Sequence, residues 1–151
     1  MRQVFQCALT GVFALGAIYA QSTTTSQTYN TGMVGISVNQ TARLNILNLN
    51  PSTGTAVVCS ADLQLLNAGG GTLKQRSVPN IDPGKAVSLD LDRGDIADQA
   101  VPRISLRGVV TTPSSAASPA PAPCNLTVTL EIVDNETART NVVVSAVATS
   151  K

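Results

Sequence analysis

Two cysteines, Cys59 and Cys124, have the clearest chemical role in this chain, because each lies in a stretch where apolar and polar residues alternate. The apolar positions in phase with them are Val57, Ala61, Leu63 and Leu65 around the first, and Leu126, Val128, Leu130 and Ile132 around the second. Such alternation is typical of half-buried strands, so both sulfurs should point into one core. We therefore expect a disulfide between two sheets, a bond that persists in oxidising, extracytoplasmic compartments.

Four closely spaced acidic residues, Asp90, Asp92, Asp95 and Asp98, form the second constellation that could do chemistry. Calcium binds several oxygen ligands, and carboxylates at a strand end supply them. The spacing is not that of an EF-hand, because Asp95 occupies the glycine position and Val101 stands where the bidentate Glu belongs. Asp90 and Asp92 also fit the solvent side of an alternating strand. We expect a solvated face with no cofactor, and keep a calcium site as the alternative.

The chain contains no histidine, which excludes Ser-His and Cys-His nucleophile systems and His-ligated zinc. With both cysteines in a disulfide, acid–base chemistry is left to carboxylates, Lys or Tyr29. We therefore predict no catalytic residues and no enzymatic activity. The chain has ten Lys and Arg residues and nine Asp and Glu residues, so its formal net charge is zero once Arg2 is removed. This neutral balance predicts no nucleic-acid partner.

The N-terminus has the pattern of a secretory signal peptide over residues 1–20. A short positive segment containing Arg2 precedes an apolar run over residues 4–17, and the small residue Ala20 precedes a polar stretch. The run is shorter than the roughly 20 apolar residues of a membrane-spanning helix, so we expect no stable span after cleavage. Cys7 would leave with this segment. The expected location is secreted or extracytoplasmic, in the periplasm or at the cell surface.

We divide the remaining chain into a flexible polar arm at residues 21–33 and a single β-sandwich domain at residues 34–151. Residues 113–123 form a Pro/Ala/Ser-rich loop, which we expect to be exposed and dispensable. Val34, Ile36 and Val38 alternate like an edge strand that folds back on its own domain. Turn signals at residues 50–54, 68–71 and 82–85 separate further alternating segments. A change of apolar phase between Ile46 and Leu47 predicts a bulge or a crossing between sheets.

Counted from Thr41, the pattern gives seven strands, with the cysteines on the second and the sixth. In strand count, cysteine placement and closing hairpin, the chain resembles bacterial secreted immunoglobulin-like domains. The resemblance implies an all-β, seven-stranded antiparallel sandwich with an inter-sheet disulfide. The chain lacks the core Trp, and Ala122 stands where antibody domains have a Tyr.

Domains of this kind serve in adhesion, in surface layers and as spacers beside enzymes. Because the chain is neutral, carries the expected disulfide and lacks catalytic residues, we expect a secreted or cell-surface structural or adhesive domain, with a protein or cell-surface partner. One alternative is a subunit of an extracellular assembly that donates its N-terminal strand to a neighbour. Another is a small carbohydrate- or calcium-binding module.

Overall fold

A computed structural model describes residues 26–53, 56–97, 100–113 and 123–150. It is a sandwich of two antiparallel sheets, one of six strands and one of four. The predicted signal peptide at residues 1–20 lies outside the described residues, as does the Pro/Ala/Ser-rich loop except for its ends. Among the residues described, no helix is long and apolar enough to cross a membrane.

The described part of the chain forms ten strands, where we expected seven from Thr41 and one before it. The strands are β1 (Gln27–Asn30), β2 (Val34–Ser37), β3 (Gln40–Asn48), β4 (Cys59–Asn67), β5 (Thr72–Ile81), β6 (Ala86–Asp92), β7 (Arg103–Thr112), β8 (Leu126–Asp134), β9 (Thr140–Ser145) and β10 (Val147–Ser150). A 3-10 turn, Arg93–Asp95, follows β6. The seven strands expected from Thr41 onward correspond to β3 to β9, and the additional strands lie at the two ends.

The six-stranded sheet has the order β10-β1-β7-β4-β5, with β2 also paired to β7, and the four-stranded sheet has the order β6-β3-β8-β9. The antiparallel two-sheet sandwich is thus confirmed. The order differs from an immunoglobulin constant domain with β3 to β9 as its seven strands. That domain would place the first, second, fourth and fifth strands in one sheet. Here β3 and β6 lie in one sheet, whereas β4 and β7 lie in the other.

Strands β1 and β2 run along the same side of β7 as one interrupted strand. Tyr29 lies opposite Val110, and Ile36 lies opposite Ile104, so the register shifts by one residue between the two segments. Residues 27–30 of the expected flexible arm are ordered as β1, which pairs with β7 on one side and β10 on the other. Residues 21–25 of the arm lie outside the described residues. Polar composition misled the prediction, because Thr and Tyr favour strands and Tyr29 is buried. The pairing of β2 in its own domain agrees with the expectation for residues 34–38.

The core between the sheets is aliphatic and follows the predicted alternation. Its fully buried side chains include Ile36, Leu44, Ile46, Leu63, Leu65, Leu106, Val110, Leu130 and Ile132. The bulge or crossing expected at Ile46 and Leu47 is absent, because β3 keeps an unbroken register with β6 and β8. The buried face simply continues to Asn48, which is fully inaccessible to solvent.

Candidate functional site

The predicted disulfide joins Cys59 to Cys124, with 5.7 Å between their Cα atoms. Cys59 is the first residue of β4 in the six-stranded sheet, and Cys124 lies two residues before β8 in the four-stranded sheet. The bond therefore connects the two sheets, as the matched phase of the two strands predicted. Cys59 is 1% exposed, and Cys124 is half-buried and packs against the core cluster.

Beside the disulfide, the buried side chain of Asn48 holds two chain segments together. Its Nδ2 donates hydrogen bonds to the carbonyl oxygens of Val57, at 3.0 Å, and Ile81, at 2.8 Å. Its Oδ1 accepts a hydrogen bond of 3.0 Å from the backbone N–H of Asn50. The sequence pattern did not predict that Asn48 is buried, because a polar side chain interrupts the apolar alternation. Its position in phase with Ile46, just before a turn, was the signal that could have indicated an inward-facing residue.

Asp90, one of the four acidic candidates, forms a bidentate ion pair with Arg43 on the outer face of the four-stranded sheet. Arg43 Nε and Nη2 each lie 2.8 Å from a carboxylate oxygen of Asp90. The hydrogen bond from Arg43 lowers the pKa of Asp90, and the same contact raises the pKa of Arg43. Asp90 therefore ties β6 to β3, and its position on the solvent side agrees with the alternation.

Asp92 caps the 3-10 turn that follows β6. Its Oδ1 accepts a 2.7 Å hydrogen bond from the backbone N–H of Gly94. Its Oδ2 accepts hydrogen bonds from Asn135 Nδ2, at 2.7 Å, and Thr41 Oγ1, at 3.1 Å. These donors, led by the Gly94 N–H, lower the pKa of Asp92. The carboxylate thus joins β6, β3 and the turn after β8.

The acidic candidates therefore do not converge on one point in the described structure. Asp95 Oδ2 lies 3.9 Å from Lys74 Nζ, so Asp95 has a different partner from Asp90 and Asp92. Asp98 lies outside the described residues. Among the residues that the structure does describe, no three His, Cys, Asp or Glu side chains group in a way that could hold a metal ion.

A cleft of about 540 Å³ opens at one end of the sandwich. It lies between the β4–β5 turn, the connection after the 3-10 turn, and the start of β7. Its walls are mainly apolar, with Leu73, Ile96, Val101 and Ile104 beside the polar side chains of Asn67 and Arg103. The volume falls within the range of small-molecule sites. Its signal in the sequence was the pair of apolar residues, Ile96 and Val101, in an otherwise polar connection.

Arg93 fixes one wall of this cleft from inside the protein. The side chain is 1% exposed, and its Nη2 donates a hydrogen bond to the carbonyl oxygen of Val101. Burying an arginine costs free energy unless its donors are engaged, so this contact anchors the connection between β6 and β7. Arg93 therefore shapes the cleft, while the exposed Arg103 supplies a charge at its mouth.

Comparison with known proteins gives no relative: no family model, no curated protein and no solved structure matches this chain. The sequence pattern and the geometry described above therefore carry the functional argument.

Proposed function

We propose that this chain is an exported structural or adhesive domain, located at the cell surface or in another extracytoplasmic space, without catalytic activity. The observation that carries the proposal is the disulfide between Cys59 and Cys124, which joins the two sheets through the core. Structural disulfides belong to oxidising compartments, and the signal-peptide pattern at residues 1–20 leads to such a compartment.

The composition of the core explains why such a domain gains from a covalent link. Aromatic residues make up 3% of the chain, so the core depends on smaller aliphatic side chains. In the chain-entropy model, a cross-link that spans 65 residues stabilises the folded state by about 4 kcal/mol. A typical domain has a net stability of about 5–15 kcal/mol, so the link supplies a large share.

The surface polar groups also support a structural role. The carboxylate of Asp90 is bound to Arg43, and that of Asp92 accepts hydrogen bonds from three groups on different segments. In these contacts the carboxylates hold strands and turns in place. The pairing of β2 with β7 in the same chain favours a self-contained domain over N-terminal strand donation.

Cell fractionation combined with thiol alkylation tests the proposal. The chain is expressed with its own N-terminus, and each fraction is alkylated under denaturing conditions without reductant before intact-mass measurement. We expect the protein in the extracytoplasmic or surface fraction, with Cys59 and Cys124 protected from alkylation. A Cys124→Ala variant should show one alkylated thiol at Cys59, which verifies that the reagent reaches this site. Cytoplasmic protein with both thiols alkylated would refute the proposal.

A further inference from the structure

The two lateral sides of the sandwich differ in charge. One side is formed by β5 and β6, which carry Lys74, Arg76, Asp90 and Asp92. Charged side chains on edge strands are a common protection against pairing with other chains. The opposite side is formed by β9 and β10, which follow each other in sequence but belong to different sheets. Residues 140–150 contain no charged residue and no proline. This second side therefore lacks the protection that charged side chains and proline give, and the register irregularity of β9 lies at Asn141, just before Val142, Val143 and Val144.

Three of the six exposed valines among the described residues lie on this uncharged side. Val142 is 41% exposed, Val143 is 57% exposed and Val147 is 71% exposed. Strand β9 pairs with β8 along one edge, and the described part of the chain places no strand along its other edge. An unprotected edge strand rich in β-branched residues is a template for adding a further strand.

The register with β8 fixes which way each valine of β9 points. Val142 and Val144 lie opposite Ile132 and Leu130, two fully buried residues, so they share the core face of the sheet. Val143 lies opposite Glu131 and shares the outer face. Residues that lie directly opposite each other in an antiparallel pair share a face. A partner strand must therefore present apolar residues on the core face and an uncharged residue between them.

A second copy of β9 meets these requirements. When two copies run antiparallel about a two-fold axis at Val143, the two Val143 side chains face each other on the outer face. On the core face, Val142 of each copy lies opposite Val144 of the other. All three valines then meet valines, and no like charges oppose each other within the paired strands. Such an isologous contact closes on itself, because each copy uses the same patch.

We propose that this protein pairs with a second copy of itself through β9, joining the four-stranded sheets of the two copies into one continuous sheet. The pairing covers the uncharged edge and places the core-facing valines of the two copies side by side. The inference concerns the β9 edge alone and does not depend on where the protein is located.

Light scattering coupled to size-exclusion chromatography, over a concentration series of the full chain, tests the pairing. We expect a dimer that dissociates on dilution. Val143→Lys places two like charges opposite each other at the two-fold axis and should give a monomer with an unchanged circular dichroism spectrum. Val58→Lys is the matched control, because Val58 is 48% exposed and precedes β4, away from β9. This variant should remain dimeric. A monomeric wild type at all concentrations, or a dimeric Val143→Lys variant, would overturn the proposal.

Cross-linking tests the register in a Cys7→Ala background. Opposed residues in an antiparallel pair have Cα atoms about 4.5–5.5 Å apart, a separation that suits a disulfide. Val143→Cys should therefore form a covalent dimer under mild oxidation. Asn141→Cys should not, because the two introduced thiols would lie roughly 13 Å apart along the strands. Rapid cross-linking of Asn141→Cys, or none with Val143→Cys, would contradict the proposed register.

Discussion

Thr31 and Gly108 exchange two hydrogen bonds at the point where the interrupted edge strand changes register. The Thr31 N–H donates to the Gly108 carbonyl oxygen at 3.0 Å, and the Gly108 N–H donates to Thr31 Oγ1 at 2.8 Å. The second bond is notable because a side-chain hydroxyl replaces the backbone carbonyl that a regular ladder would offer. Thr31 thus satisfies a buried donor between β1 and β2.

Replacing Thr31 with Val should destabilise the protein by about 1–3 kcal/mol, because the shape is kept while the buried Gly108 N–H loses its acceptor. Thr31→Ser keeps the hydroxyl and should recover most of the difference. Urea unfolding followed by circular dichroism measures both free energies. A Thr31→Val variant as stable as wild type, with the loss confined to Thr31→Ser, would mean that the Thr31 methyl group, and not the hydrogen bond, stabilises this site.

Gly108 also allows close packing across the sandwich. A Cβ atom at Gly108 would lie 2.5 Å from Cδ1 of Leu44, which is fully buried in the opposite sheet. We expect Gly108→Ala to cost about 1–3 kcal/mol through overpacking. Gly35→Ala is the control, because its Cβ meets the exposed side chain of Arg103, which can move aside.

A double-mutant cycle with Leu44→Ala tests the cause of that loss. Leu44→Ala removes the atoms that a Cβ at Gly108 would meet, so the cost of Gly108→Ala should be smaller in this background. Urea denaturation of the four proteins gives the coupling energy. Strict additivity would show that contact with Leu44 is not the cause of the loss, and would leave the contact with Thr31 Cγ2 at 3.3 Å or the backbone.

Alternation in the sequence predicted which residues face the core, and therefore the two-sheet sandwich and the Cys59–Cys124 bond. It also placed Asp90 on the solvent side of its strand. Alternation reports the face of a residue but not the neighbouring strand, so the Arg43 partner of Asp90 could not be predicted. The strand order was missed for the same physical reason: pairing between distant segments depends on the whole fold.

Composition gave wrong predictions where polar residues form hydrogen bonds inside the fold. Strand β1 is polar in sequence, yet it lies between two strands that satisfy its backbone groups. Asn48 interrupted the apolar pattern of β3, where we predicted a change of phase, although its side chain bonds three backbone groups in the interior. In both cases the partners come from segments far away in sequence, which a local pattern does not reveal.

Asn48→Ala should lower the free energy of unfolding by at least about 2 kcal/mol, because the backbone groups of Val57, Ile81 and Asn50 lose hydrogen-bond partners. Asn45→Ala is the matched control. Asn45 lies on the same strand but on the outer face, opposite Thr129 and Ser88, and its loss should change the stability by less than about 0.5 kcal/mol. Thermal and urea unfolding measure both variants. Similar effects for the two would contradict the structural role of Asn48.

Asp92 should make the stability depend on pH in acid. Hydrogen bonds from Gly94, Asn135 and Thr41 lower the pKa of its carboxyl in the folded protein. A carboxyl with a lowered folded-state pKa stabilises the fold above its unfolded-state pKa of about 4. This contribution is lost as the pH falls through the folded-state pKa. Asp92→Asn should therefore be less stable than wild type near neutral pH, and the difference between their free energies of unfolding should become smaller below about pH 4. A difference that stays constant from pH 7 to pH 2 in urea titrations would refute this prediction.

Removal of the disulfide by Cys59→Ala together with Cys124→Ala should lower the free energy of unfolding by about 2–5 kcal/mol. The double variant leaves no unpaired thiol from this bond, so the loss reports the cross-link together with the packing of the two sulfur atoms. In the chain-entropy model the bond acts on the unfolded state, which becomes more expanded without it. The denaturant dependence of unfolding should therefore also steepen, because more surface is exposed when the chain unfolds. Urea titrations with two spectroscopic probes measure both quantities. A double variant with unchanged midpoint and slope would show that the bond contributes nothing to the stability of the sandwich.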